Sequence, residues 1–135
     1  MKILFCLLGC FAIGATAMAQ SEPAPTKNSF VRCTAVTFIV SRDHPDQKTR
    51  NEFKTDFESF TKFTEWLYPD NAADLTVQVG ETIKAIQSDL REKKLTEEAF
   101  FAETGKCSAL LFETLPKYMQ CAGNKDADKL KECAR

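Results

Sequence analysis

Asp43-His44-Pro45-Asp46 is the one place in this chain where an imidazole stands among carboxylates. That grouping is the minimum for general base chemistry, in which a positioned histidine removes a proton. The same residue types also start helices: Asp43 or His44 ahead of Pro45, with Pro45 in the first turn, satisfies free backbone N–H groups. We read the cluster as a cap and assign no catalytic residue. His44 is the only histidine, which removes many hydrolytic mechanisms. Glycine-flanked serine, paired-histidine zinc, P-loop and dinucleotide-binding glycine patterns are all missing from the sequence.

Six cysteines are the other reactive residues, and two of them, Cys6 and Cys10, fall in an N-terminal apolar run. Lys2, the apolar residues from Ile3 to Met18 and the small-residue pattern Ala17-Met18-Ala19 have the three regions of a secretory signal peptide. Cleavage is expected near Ala19, which makes residues 1–19 a signal peptide. The run is about 16 residues long with two glycines, short of the roughly 20 that span a bilayer, so no stable membrane insertion is expected. Leu7-Leu8-Gly9-Cys10 offers a lipoprotein alternative, but cleavage before Cys10 would strand Phe11 to Met18 on the mature chain.

Cys33, Cys107, Cys121 and Cys133 remain, an even number in a protein bound for an oxidising, periplasmic or extracellular compartment. Two disulfides are expected. A metal site needs close ligand spacing such as C-x-x-C, which does not occur, so we expect no metal and no cofactor. Oxidation also takes these thiols out of nucleophilic chemistry.

The elements that hold these residues are read as helices. Residues 20–28, with Pro23 and Pro25, form a short spacer, and residues 29–135 form a single helical domain. From Asp46 to Leu67, Phe53, Phe57, Phe60 and Leu67 share one face, and Pro69 stops the helix at Tyr68. Asp70 or Asn71 then caps a second stripe of Leu75, Val79, Ile83, Ile86 and Leu90, ending near Lys93 and Lys94. Gly80 weakens this helix and marks a close approach to a neighbour. Thr96 followed by Glu97 and Glu98 starts a long helix on which Phe100, Cys107, Leu111 and Tyr118 share one face, and Phe101, Phe112 and Met119 a second beside it. So wide an apolar arc predicts the most buried helix, with Gly105 and Pro116 as bends that can split it. Ser29 to Arg42 fits either a helical stripe of Phe30, Cys33, Thr37 and Val40 or a β-branched strand from Val36 to Val40. With no second strand to pair with, we take it as helix. Residues 125–134 suit a short polar helix.

The fold class is thus an all-α, disulfide-stapled bundle of about four helices. In an up-down-up-down order the first and fourth helices are antiparallel neighbours. With their upper ends level, Cys33 and Cys107 both lie about 14 to 15 Å down, whereas Cys121 lies about 36 Å down. We therefore expect Cys33 to pair with Cys107 and Cys121 with Cys133.

Eighteen basic against nineteen acidic residues give a net charge of −1. Without a basic stripe, nucleic acid is not an expected partner. On the Asp46–Leu67 helix, Phe63 and Trp66 lie about 80° and 140° round from Phe53, an apolar spread wider than an edge helix needs to bury. They are the candidate binding surface. We expect an exported, non-enzymatic protein-binding module of inhibitor or immunity type. Its build resembles that of small exported helical immunity proteins with disulfides, although no motif matches residue by residue. The alternatives are a carrier of a small apolar ligand or lipid, lined by Phe53, Phe57, Phe60, Phe100 and Leu111, and a periplasmic stress chaperone.

Overall fold

The computed structural model describes residues 25–122 and Cys133. The expected signal peptide, most of the spacer and, Cys133 apart, the 125–134 helix lie outside the described residues. The described chain forms four α-helices, α1 (Lys27–Asp43), α2 (Gln47–Leu67), α3 (Ala72–Arg91) and α4 (Glu97–Ala122), with a 3₁₀ turn at Pro69–Asn71. There is no strand among the described residues.

The ambiguous segment is helix α1, and it begins earlier than expected, at Lys27. Thr26 caps it: its hydroxyl accepts from Ser29 N–H at 3.4 Å while the Ser29 hydroxyl accepts from Thr26 N–H at 3.2 Å. The two orphan donors are satisfied reciprocally. α1, rather than the fourth helix, is the most buried element. Phe30, Val31, Cys33, Thr34, Ala35, Val36, Thr37, Ile39 and Val40 are all buried on it. A helix covered on most sides carries no clean polar face, which explains its strand-like composition. Its threonines bury their hydroxyls safely by donating backward, Thr34 to the Phe30 carbonyl at 2.7 Å and Thr37 to the Cys33 carbonyl at 2.8 Å.

The three other helices pack around α1. Phe30 meets Phe60 and Tyr68, and Phe38 meets Phe57, edge to face, so α2 runs antiparallel to α1. Along α4, Phe101 lies beside His44, while Cys107 is bonded to Cys33 with 5.3 Å between Cα atoms. Rising number on one helix meets falling number on the other, so α1 and α4 are the expected antiparallel neighbours. Arg32 holds Glu103 with two hydrogen bonds of 2.9 Å across the same interface. α3 packs mainly on α1 and makes almost no contact with α4. The bundle is a central helix with three satellites, not a closed square.

Four local expectations change. Asp46, not Asp43 or His44, is the N-cap of α2, accepting from Thr49 N–H at 2.7 Å. α3 stops at Arg91, short of the two lysines: Lys93 has φ 56°, and Lys94 N–H donates to the Asp89 carbonyl at 2.8 Å. That is a Schellman stop with lysine in the place usually held by glycine. Gly80 marks no close approach, since nothing lies within 4 Å of a Cβ there, and α4 continues through Gly105 and Pro116 without splitting.

Candidate functional site

The histidine cluster resolves into a corner between α1 and α2. Asp43 ends α1, and the Arg42 guanidinium grips its carboxylate at 2.6 and 2.8 Å. That hydrogen bonding holds Asp43 below the usual carboxylate range. Asp46 is held low as well, by the Thr49 backbone N–H and hydroxyl. His44 Nδ1 accepts the Asp46 N–H at 3.1 Å. With that lone pair engaged, the neutral ring carries its proton on Nε2 and presents a donor. The arrangement supplies a cap and a turn. No group of three or more metal-ligating side chains comes together among the described residues.

Because α3 and α4 splay apart beyond their connecting turn, a cleft of about 610 Å³ opens at this end of the bundle. Ile39, Val40, Leu90 and Phe100 give it apolar walls, and Asp43, His44, Gln87, Arg91 and Glu97 line it as well. Its size is that of small-molecule sites. Of the five residues expected to line a carrier cavity, only Phe100 borders it. Phe60 is core, and Phe53 and Leu111 pack against that core.

Of the two candidate surface residues, Phe63 is buried and Trp66 is partly exposed. Phe63 is 1% exposed, stacked between Phe60 and Tyr118. Trp66 packs edge-on to the same Tyr118 ring at 5.5 Å, and its Nε1 is buried without an acceptor among the described residues. The wide apolar arc of α2 is covered because α4 leans on it through Tyr118.

Val77 on α3 is 59% exposed, and the other exposed large apolar side chains lie together on the outer face of α4. Phe112 is 75% exposed, Met119 65%, Phe101 48% and Leu115 38%. At 100° per residue these four fall within about 60° of one another, over about 27 Å of helix. Thr104, Gly105, Ser108 and Pro116 widen the arc to about 120°, and no charge interrupts it between Phe101 and Met119. Phe101, Phe112 and Met119 form the second face read from the sequence, now found in solvent. Leu115 was not singled out there. A signal for all four was present: Phe101, Gly105, Ser108, Phe112, Leu115 and Met119 are spaced alternately by four and three residues, the period of a helix-packing seam.

Cys121 and Cys133 are bonded, with Cα atoms 5.8 Å apart, which agrees with the expected pairing. Cys121 is buried and lies about 160° round α4 from the exposed stripe. Among the described residues no helix is long and apolar enough to cross a membrane. Comparison with protein-family models, with curated proteins and with solved structures returned no match.

Proposed function

We propose that this chain is an exported, non-enzymatic protein-binding module of inhibitor or immunity type, and that it docks through the outer face of α4. The observation that carries this is the uncharged stripe of Phe101, Phe112, Leu115 and Met119 left in solvent by the bundle. By its exposure it presents roughly 400 Å² of apolar side chain, in the range where the largest patch of a monomer is often functional. Export is supported by the leader pattern ending at Ala19 and by two disulfides, which persist in oxidising compartments. Immobilised protein is expected to retain a partner from exported extracts, and Phe112→Asp with Met119→Asp to release it. Retention of the same partner by the double variant, or of none by the parent chain, overturns the proposal.

The end cleft favours a second reading, carriage of a small apolar ligand between Ile39, Val40, Leu90 and Phe100. Native mass spectrometry of the purified protein then shows a bound ligand that Val40→Trp displaces. A single mass equal to the chain alone, together with no binding of an apolar dye, removes this alternative.

A further inference from the structure

The end cleft joins an apolar floor to a mouth that carries one free charge of each sign. We infer that it takes a compact apolar zwitterion, the chemistry of a hydrophobic amino acid or of a short apolar peptide with free ends; the inference rests on the cleft being a ligand site and names what fills it. Its shape limits the apolar part of that ligand. Ile39, Val40 and Phe100 are buried residues of the core that also border the cleft of about 610 Å³. Val36, one turn below Val40 on α1, and Ile86, one turn below Leu90 on α3, are both 0% exposed. The packing is therefore closed about 6 Å beneath the apolar walls. A long acyl chain finds no channel into the bundle, whereas a group the size of an aliphatic or aromatic side chain fits.

The charges at the mouth select the polar part. Asp43 is already neutralised, because the Arg42 guanidinium holds both its oxygens at 2.6 and 2.8 Å. Glu92, next to Arg91, is likewise engaged, by the Lys94 ammonium at 2.6 Å and the Ser88 hydroxyl at 2.9 Å. Arg91 and Glu97 both line the cleft, yet they pair neither with each other nor with any other described residue. A guanidinium offers a carboxylate two parallel N–H donors, and a carboxylate accepts from an ammonium. One ligand bearing both groups satisfies both side chains at once. An apolar anion leaves Glu97 facing its negative head, and an apolar cation meets Arg91. His44 adds a neutral donor on the same wall, since its Nδ1 is taken by the Asp46 N–H and its Nε2 proton remains available.

Arg91 ends α3 and Glu97 begins α4, so each sign also complements a helix dipole. That structural role is indifferent to the head groups of a ligand, and selectivity between head groups separates the two roles.

Amide NMR of the oxidised protein, titrated with leucine, leucyl-leucine, N-acetyl-leucine, leucine amide and octanoate, tests the inference. The zwitterions are expected to shift the amides of Val40, His44, Leu90 and Phe100. N-acetyl-leucine and leucine amide each bind roughly three- to fivefold more weakly than leucine, the scale of one exposed ion pair. Arg91→Gln erases the preference for leucine over its amide and keeps that over the N-acetyl form; Glu97→Gln does the reverse. Both side chains are exposed, so melting of the variants is expected to match the parent chain. Tighter binding of leucine points to a free amino acid and tighter binding of leucyl-leucine to a peptide, and either supports the inference. Octanoate binding more tightly than both zwitterions, or head-group selectivity unchanged in Arg91→Gln and Glu97→Gln, overturns it. Shifts confined to the Phe112 and Met119 face of α4 overturn it as well. If octanoate shifts the cleft amides and the zwitterions do not, apolar carriage stands and the zwitterion falls. If no probe shifts them, both fall.

Discussion

At the scale of single residues, two aspartates on α2 respond to pH with opposite signs. Asp46 caps the helix, and the Thr49 N–H and hydroxyl hold its carboxyl below the ordinary value. A group lowered in the native state contributes its full stabilisation above the unfolded pKa and loses it as pH falls through the native one. Asp56 is the reverse: burial raises it, and the charge of Glu52 raises it further. Its native form binds a proton at a pH where the unfolded chain remains ionised, so it is neutral to stability below the unfolded pKa. Its penalty grows as pH rises through the window up to its raised native value, and is complete at neutral pH. Asp56→Asn is therefore expected to raise the urea midpoint at pH 7 and to make no difference in strong acid. Asp46→Asn keeps a capping oxygen and flattens the acid-side decline. Parallel pH profiles for both variants and the parent chain refute this assignment.

At the scale of the helix, the end of α3 is the clearest local conflict between sequence and geometry. Lys93 takes the left-handed conformation at φ 56° so that Lys93 and Lys94 N–H can close onto the Leu90 and Asp89 carbonyls. A side chain there costs about 1 kcal/mol that glycine avoids. Lys93→Gly is expected to stabilise the protein by about 0.5 to 1 kcal/mol, after its greater unfolded-state entropy is offset. A lower midpoint in chemical denaturation would refute the cap. The lysine also explains why the stop was misplaced from sequence: two basic residues read as a helix end favoured by the dipole, and only the backbone shows the turn beginning earlier. The pattern of α2, α3 and α4 was legible because each carries a helical apolar stripe. α1 was ambiguous because burial on most sides erases the polar face that marks a helix. The exposed apolar face could not be told apart between two similar signals. Phe63 with Trp66 on α2, and Phe101 with Phe112 and Met119 on α4, are both second apolar arcs. Which arc is covered depends on where α4 leans, a tertiary fact that no single helix encodes.

At the scale of the whole molecule, the weakly attached part is the helix that carries the function proposed here. α4 turns one arc outward and barely touches α3, so it is held mainly by α1 and α2. Three fastenings compensate: the Cys33–Cys107 bridge, the Arg32–Glu103 pair and the Tyr118 ring against Phe63 and Trp66. The ion pair is half exposed and contributes at most about 1 kcal/mol. The bridge closes a separation of 74 residues, which in the chain-entropy description is worth about 4 kcal/mol, against about 3 kcal/mol for the 12-residue separation of Cys121–Cys133. Replacing Cys33 and Cys107 together by alanine is thus expected to cost more than replacing Cys121 and Cys133, by about 1 kcal/mol or more in urea unfolding. Its loss also falls unevenly. α1 keeps its burial against α2 and α3, whereas α4 loses its one covalent tie to the central helix. Hydrogen exchange on the Cys33→Ala, Cys107→Ala protein is expected to speed up first across Glu97–Ala122 and least across Val36–Val40. An equal acceleration in both segments would show that α4 is integral to the core and that its outward face is not presented on a separately fastened element.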